Sequence, residues 1–129
     1  MGRRAAVPAE VLATLESIFG EGVHRVRVIE HSLFTRLHGR AIATTRRRCI
    51  FLRGSAADFY LNPALMLHEY CHVLLQWEPG ELTTLRYVLE WLRRGYHHNR
   101  FEVQAREFAQ THLQRFHLRL SQARSERAR

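Results

Sequence analysis

Apolar residues first recur at helical spacing near the amino terminus, where Val11, Leu12, Leu15, Ile18 and Phe19 fall on one stripe. Pro8 in the first turn and Gly20 beyond the last predict a helix over residues 8–19. From Val23 to Arg53 the period shortens. Val26 and Val28 alternate with Arg25 and Arg27, Ala41 to Thr45 tolerates extended backbone, and Cys49 to Leu52 is continuously apolar. With Gly39 and Arg46-Arg47-Arg48 as turns, these runs predict a small sheet of three or four strands. Residues 54–60 read as a connector. Asn62 then offers a cap, and Pro63 a first helical position, for a helix that reaches about Trp77 and stops at Glu78-Pro79-Gly80. A third helix is expected over 83–94, with Leu85, Val88, Leu89 and Leu92 on its inner stripe and Gly95 closing it. After a short loop over 96–99, a last helix from about Arg100 to Leu118 carries Phe101, Ala105, Phe108 and Phe116.

Sheet first and helices after define an α+β chain. The expectation is a three- or four-stranded sheet packed on the helix from Pro63, with an amino-terminal helix and two carboxy-terminal helices. A single domain over 1–120 accounts for the length, and residues 121–129 form a basic tail expected to be disordered. An apolar share of 46% is enough for a buried core. Charge interrupts every hydrophobic stretch well short of a bilayer span, so no membrane partner is expected. Met1-Gly-Arg-Arg has the basic front of a secretory signal, but Glu10 and Glu16 in the following amphipathic helix argue against cleavage. A cytoplasmic location follows as the expectation, with export by a specialised secretion system leaving no trace of this kind. The net charge of +8 comes entirely from arginine among the basic residues. These arginines are scattered and no aromatic platform accompanies them, so nucleic acid is not the expected partner. Cys49 and Cys71 are too few for a disulfide framework and read as small buried hydrophobes.

The chemistry lies in His68-Glu69-Tyr70-Cys71-His72. Two imidazoles four residues apart share one face of a helix and can reach one tetrahedral ion. Glu69 projects beside that face, placed to take a proton from water during attack and return it to a leaving amine. Leu65, Met66, Leu67, Val73, Leu74 and Leu75 surround the pattern. Burying two histidines and a glutamate there without a partner costs several kcal/mol. A catalytic zinc needs a third protein ligand. A histidine six residues past His72 is excluded, because Leu75 and Glu78 occupy the places of the required glycine and histidine. The remaining candidates are Glu81, Glu90, Glu102 and Glu107. Glu102 is preferred: it opens the last helix, and the small Ala105 three residues on lets that helix come close. Glu90, between Arg86 and Arg94, reads as a solvated ion-pair residue.

With His68-Glu69-x-x-His72 and the later Glu102-Val-Gln-Ala105, the chain resembles the gluzincin metallopeptidases. The length and element order resemble the minigluzincins, and are similar to peptidase-type domains associated with bacterial contractile injection systems. The run Glu102-x-x-Ala105-x-x-Phe108-Ala109 is also similar to that of regulatory peptidases that cleave bacterial repressors. The resemblance covers about residues 40–110. It implies a zincin-like fold and a zinc ion bound by His68, His72 and Glu102. It also implies Glu69 as general base and acid in the hydrolysis of a protein or peptide. An oxyanion donor is expected from Tyr96, His97 or His98, and the strand at 48–53 is expected to pair with extended substrate. The alternative is a catalytically silent or latent peptidase-like binding module of a bacterial secretion or toxin system, latent if the first helix or the basic tail covers the cleft.

Overall fold

The computed structural model describes residues 2–36 and 42–128. Strand β1 (Arg3–Ala5) is followed by α1 (Ala9–Phe19), a 3₁₀ turn over Glu21–Arg25, β2 (Arg27–Glu30) and the short α2 (Leu33–Arg36). Then come β3 (Ala43–Arg46), β4 (Cys49–Leu52), α3 (Ala56–Tyr60) and α4 (Pro63–Cys71), which passes directly into a π-helical segment over His72–Trp77. Helices α5 (Thr84–Arg94) and α6 (Arg100–Ala128) complete the chain. The α+β class is as expected. The turn expected at Gly39 lies outside the described residues.

The sheet is mixed, in the order β1-β2-β4-β3. β4 pairs parallel to β2 (Val28 opposite Ile50) and antiparallel to β3 (Thr45 opposite Ile50). A strand with neighbours on both sides is apolar throughout, which explains the unbroken Cys49-Ile-Phe-Leu52 run. Among the described residues β3 pairs with β4 alone and forms an edge of the sheet. The arginine triplet does turn the chain between β3 and β4. Arg48 takes a left-handed φ of 61° there and pairs with Glu78 at 3.2 Å, pinning the hairpin to the end of the π segment. β1 has no apolar pattern to announce it. It is held by backbone pairing to β2 and by the Arg3 guanidinium on Glu30 at 2.6 Å.

One core joins α1, the sheet, α4 and α6, with Leu15, Ile50, Met66, Leu67, Tyr70 and Phe116 all fully buried. α4 packs most extensively against α6, and α1 packs against α6 in turn. Asn62 caps α4 through Oδ1, which accepts from the Leu65 N–H at 3.1 Å. Cys49 and Cys71 are free and buried, and burial pushes the Cys71 thiol up to about 12. Among the described residues no helix is long and apolar enough to cross a membrane.

Besides β1 and α2, which no sequence pattern announced, three elements depart from expectation. The connector contains α3, whose cap is Ser55 accepting from the Asp58 N–H at 3.2 Å and whose Phe59 and Tyr60 enter the core. Five residues are too few to show a helical period. The tail is helical to Ala128: Leu120 is buried, Arg127 pairs with Glu10 at 2.6 Å, and good helix formers carry the helix outward from that anchor. The largest departure is α5. Its stripe of Leu85, Val88, Leu89 and Leu92 faces outward, with Leu85 and Leu92 68% and 67% exposed. The inward side carries Tyr87 and Glu90. Glu90 accepts from the Arg100 N–H at 3.3 Å and pairs with Arg94 and Arg100, rather than standing in solvent between Arg86 and Arg94.

Two stability outcomes follow. Phe116→Ala should lower the free energy of unfolding by about 3–5 kcal/mol, read from urea denaturation. An unchanged midpoint would remove Phe116 from the core. The Glu30 carboxylate accepts from the Ala56 N–H at 2.9 Å and from Arg3, and these bonds hold its pKa below the ordinary carboxylate value. Its contribution is therefore present above the ordinary glutamate range and lost as pH falls through it. Glu30→Gln should flatten the acid side of a Tm-against-pH curve.

Candidate metal centre

His68 on α4 and His72, the first residue of the π segment, lie one turn apart, and α6 brings Glu102 to them. The two Nε2 atoms lie 3.1 Å apart, and Glu102 Oε1 is 2.9 Å from His68 Nε2 and 3.0 Å from His72 Nε2. One donor atom from each residue falls within 4.8 Å of the others, making a group that could hold a metal ion. Glu81, Glu90 and Glu107 do not join it. The close approach of α6 is possible because Ala105, on the same face as Glu102, is fully buried. Asn99 opens α6, with Oδ1 accepting from the Phe101 N–H at 2.9 Å. Its Nδ2 donates to the Tyr87 carbonyl at 3.3 Å, tying α5 to the start of α6.

A second layer of contacts orients the donors. His72 Nδ1–H donates to Gln76 Oε1 at 2.6 Å, while the Gln76 amide nitrogen donates to the Phe101 carbonyl and to Gln104 Oε1, both at 2.9 Å. With its nitrogen committed to two oxygens, Gln76 can present only its carbonyl to His72. That fixes a proton on Nδ1 and leaves Nε2 as the nitrogen turned toward Glu102. The Tyr87 hydroxyl donates to Glu102 Oε2 at 2.7 Å, leaving Oε1 for the histidines. Gln76 sits in the π segment, where the Glu78 N–H reaches back five residues to the Val73 carbonyl at 2.9 Å. Widened turns of this kind recur at functional sites.

The electrostatics follow from burial and these bonds. Burial alone would raise Glu102, yet hydrogen bonds from His68, His72 and Tyr87 hold it well below the usual carboxylate range. Burial opposes a charged His72, but the Glu102 hydrogen bond and the Glu69 and Glu102 charges push it up to about 9. Glu69, 6% exposed, is raised by desolvation, with the histidines pulling it back. Two imidazole nitrogens and one carboxylate oxygen converge there, with the outer atoms of His72 and Glu102 held by Gln76 and Tyr87. This is a donor set that fits a divalent cation.

Glu69, His72 and Glu102 open into a cleft of about 610 Å³ whose walls include β3, Trp77, Tyr87 and Trp91. Trp77 Nε1 donates to Thr45 Oγ1 at 3.2 Å, fastening the edge strand to the π segment. The strand bordering the cleft is thus β3, residues 43–46, and not the expected 48–53: β4 lies inside the sheet with both sides paired. Of the three expected oxyanion donors, Tyr96 lines the cleft. His97 and His98 stack edge-on against each other outside it, and the His97 carbonyl accepts from Arg106. Among the described residues those lining the cleft fall between Ala43 and Glu102, and neither α1 nor the end of α6 contributes to its walls. Sequence reasoning missed Gln76, Gln104 and Tyr87. Gln76 had a signal, as the one polar residue in Val73-Leu-Leu-Gln-Trp77 and four residues beyond His72. Tyr87 had none, since its role depends on which way α5 is turned.

The chain matches no known family model, no curated protein and no solved structure. The reading of the centre therefore rests on its own geometry.

Two substitutions test that geometry. Purified wild type should contain a stoichiometric divalent ion that Glu102→Ala lacks, and retention in the variant would move the third ligand elsewhere. Gln76→Leu should weaken metal affinity by roughly 10–100-fold in a chelator competition titration, because His72 loses the acceptor that sets its tautomer.

Proposed function

We propose that this chain is a metal-dependent peptidase of the gluzincin type, with zinc as its ion and a zincin-like fold. The observation that carries the reading is a buried Glu69 beside a two-histidine, one-carboxylate donor set, at the base of a cleft bordered by an edge strand of the sheet. His68 and His72 through Nε2, and Glu102 through Oε1, would hold the ion. When bound, it supplies Lewis acidity, lowering the pKa of a water and polarising a carbonyl.

The chain's own groups do the rest. Glu69 takes the proton of the attacking water and delivers it to the leaving nitrogen. Its desolvated carboxyl, raised above the ordinary value, suits both halves of that transfer. The Tyr96 hydroxyl, in the cleft wall, is the group available to donate to a developing oxyanion. Extended peptide adds along the edge of β3, whose outer side pairs with no other strand among the described residues. Gln76 keeps His72 in the ligating tautomer, and Tyr87 keeps one Glu102 oxygen occupied. A second reading, a binding module of a secretion or toxin system that retains the centre without turnover, draws support from the large apolar face that α5 exposes beside the cleft.

Glu69→Gln separates the two. It should reduce kcat on an unfolded protein substrate by about 10²–10⁴-fold while metal content stays at the wild-type level. Equal turnover in both forms would end the mechanism. Absence of turnover in the wild type, with the ion bound, would favour the binding module.

A further inference from the structure

Helix α5 is amphipathic and turned the wrong way for a core helix. Tyr87 and Glu90 face the protein, while Leu85, Leu89 and Leu92, spaced one turn apart, project outward. The same helix contributes Val88 and Trp91 to the cleft wall. Its apolar surface therefore runs without a break from the cleft around to its outer side. Arg86, Arg93 and Arg94 border it, and all three are exposed. The only acid on the helix, Glu90, is turned inward and engaged with Arg94 and Arg100. Among the described residues Arg93 has no acidic partner.

We infer that the outer face of α5 is a docking surface for a polypeptide segment that carries apolar side chains flanked by carboxylates, leading into the cleft. Charge complementarity selects this occupant. A second copy of the chain is disfavoured, because the arginines that border the stripe would bring like charge against like. Continuity with the cleft and with the strand edge favours a polypeptide over a lipid surface. The leucines, Trp91 and the arginines are the residue types that anchor protein interfaces. As a substrate-docking surface this face rests on the peptidase reading; as a binding surface it does not.

The test uses the full chain and a fluorescein-labelled peptide with leucines at every third or fourth position and glutamates between them. Fluorescence anisotropy should show saturable binding that weakens with added salt. Leu89→Ser/Leu92→Ser and, separately, Arg93→Glu should each raise Kd by about tenfold or more, with thermal unfolding unchanged. Glu69→Gln should bind the peptide as the wild type does. Cleavage of a protein substrate with unchanged efficiency in the α5 variants would overturn this inference and leave the peptidase reading standing. Peptide binding with no turnover would do the reverse. Equal binding of the lysine-for-glutamate peptide overturns the charge argument. Binding only to phosphatidylserine vesicles, or self-association abolished by the leucine substitutions, assigns the face to a membrane or to a second copy and likewise overturns it.

Discussion

The structure turns on one oxygen. Glu102 Oε1 lies within hydrogen-bond distance of both His68 and His72, and bringing it there requires α6 to lie directly against α4. A carboxylate buried to that degree is tolerable only with partners on both of its oxygens. The second oxygen has Tyr87, and that hydrogen bond sets the rotation of α5. One buried acid thus couples three helices, and a substitution that disturbs any of them reaches the centre.

That coupling explains why α5 displays its leucines. An isolated amphipathic helix would lay its apolar stripe on the core. Here the inward side is claimed by polar anchors: Tyr87 on Glu102, the Tyr87 carbonyl on Asn99, and Glu90 at the amino end of α6. Three such anchors hold this side of the helix inward, and the stripe is left outside. The surface that results is continuous with the cleft, which makes α5 both a wall of the candidate site and the exposed face beside it.

Much of this was legible from residues alone. His68, Glu69 and His72 share a helical face because the period of an α-helix is what it is, and an apolar setting demands partners for them. The choice of Glu102 followed from its place in the first turn of a helix with a small residue on the same side. Capping residues marked the start of α4 correctly, alternation marked β2, and an unbroken apolar run marked β4. Short or polar elements escaped because they carry too little periodicity: β1 spans three residues and α3 five.

By itself the sequence determined the local periods, the caps, the histidine pair and the acid beside it, all properties of neighbours along the chain. Only tertiary structure decided that β3 and not β4 lies at the sheet edge, that Tyr96 and not His97 or His98 reaches the cleft, and that Gln76 and Tyr87 orient the donors. It also decided which side of α5 faces in. Each of these depends on contacts between residues distant in sequence. There the competition between burying apolar surface and satisfying buried polar atoms is settled by the whole fold rather than by any one segment.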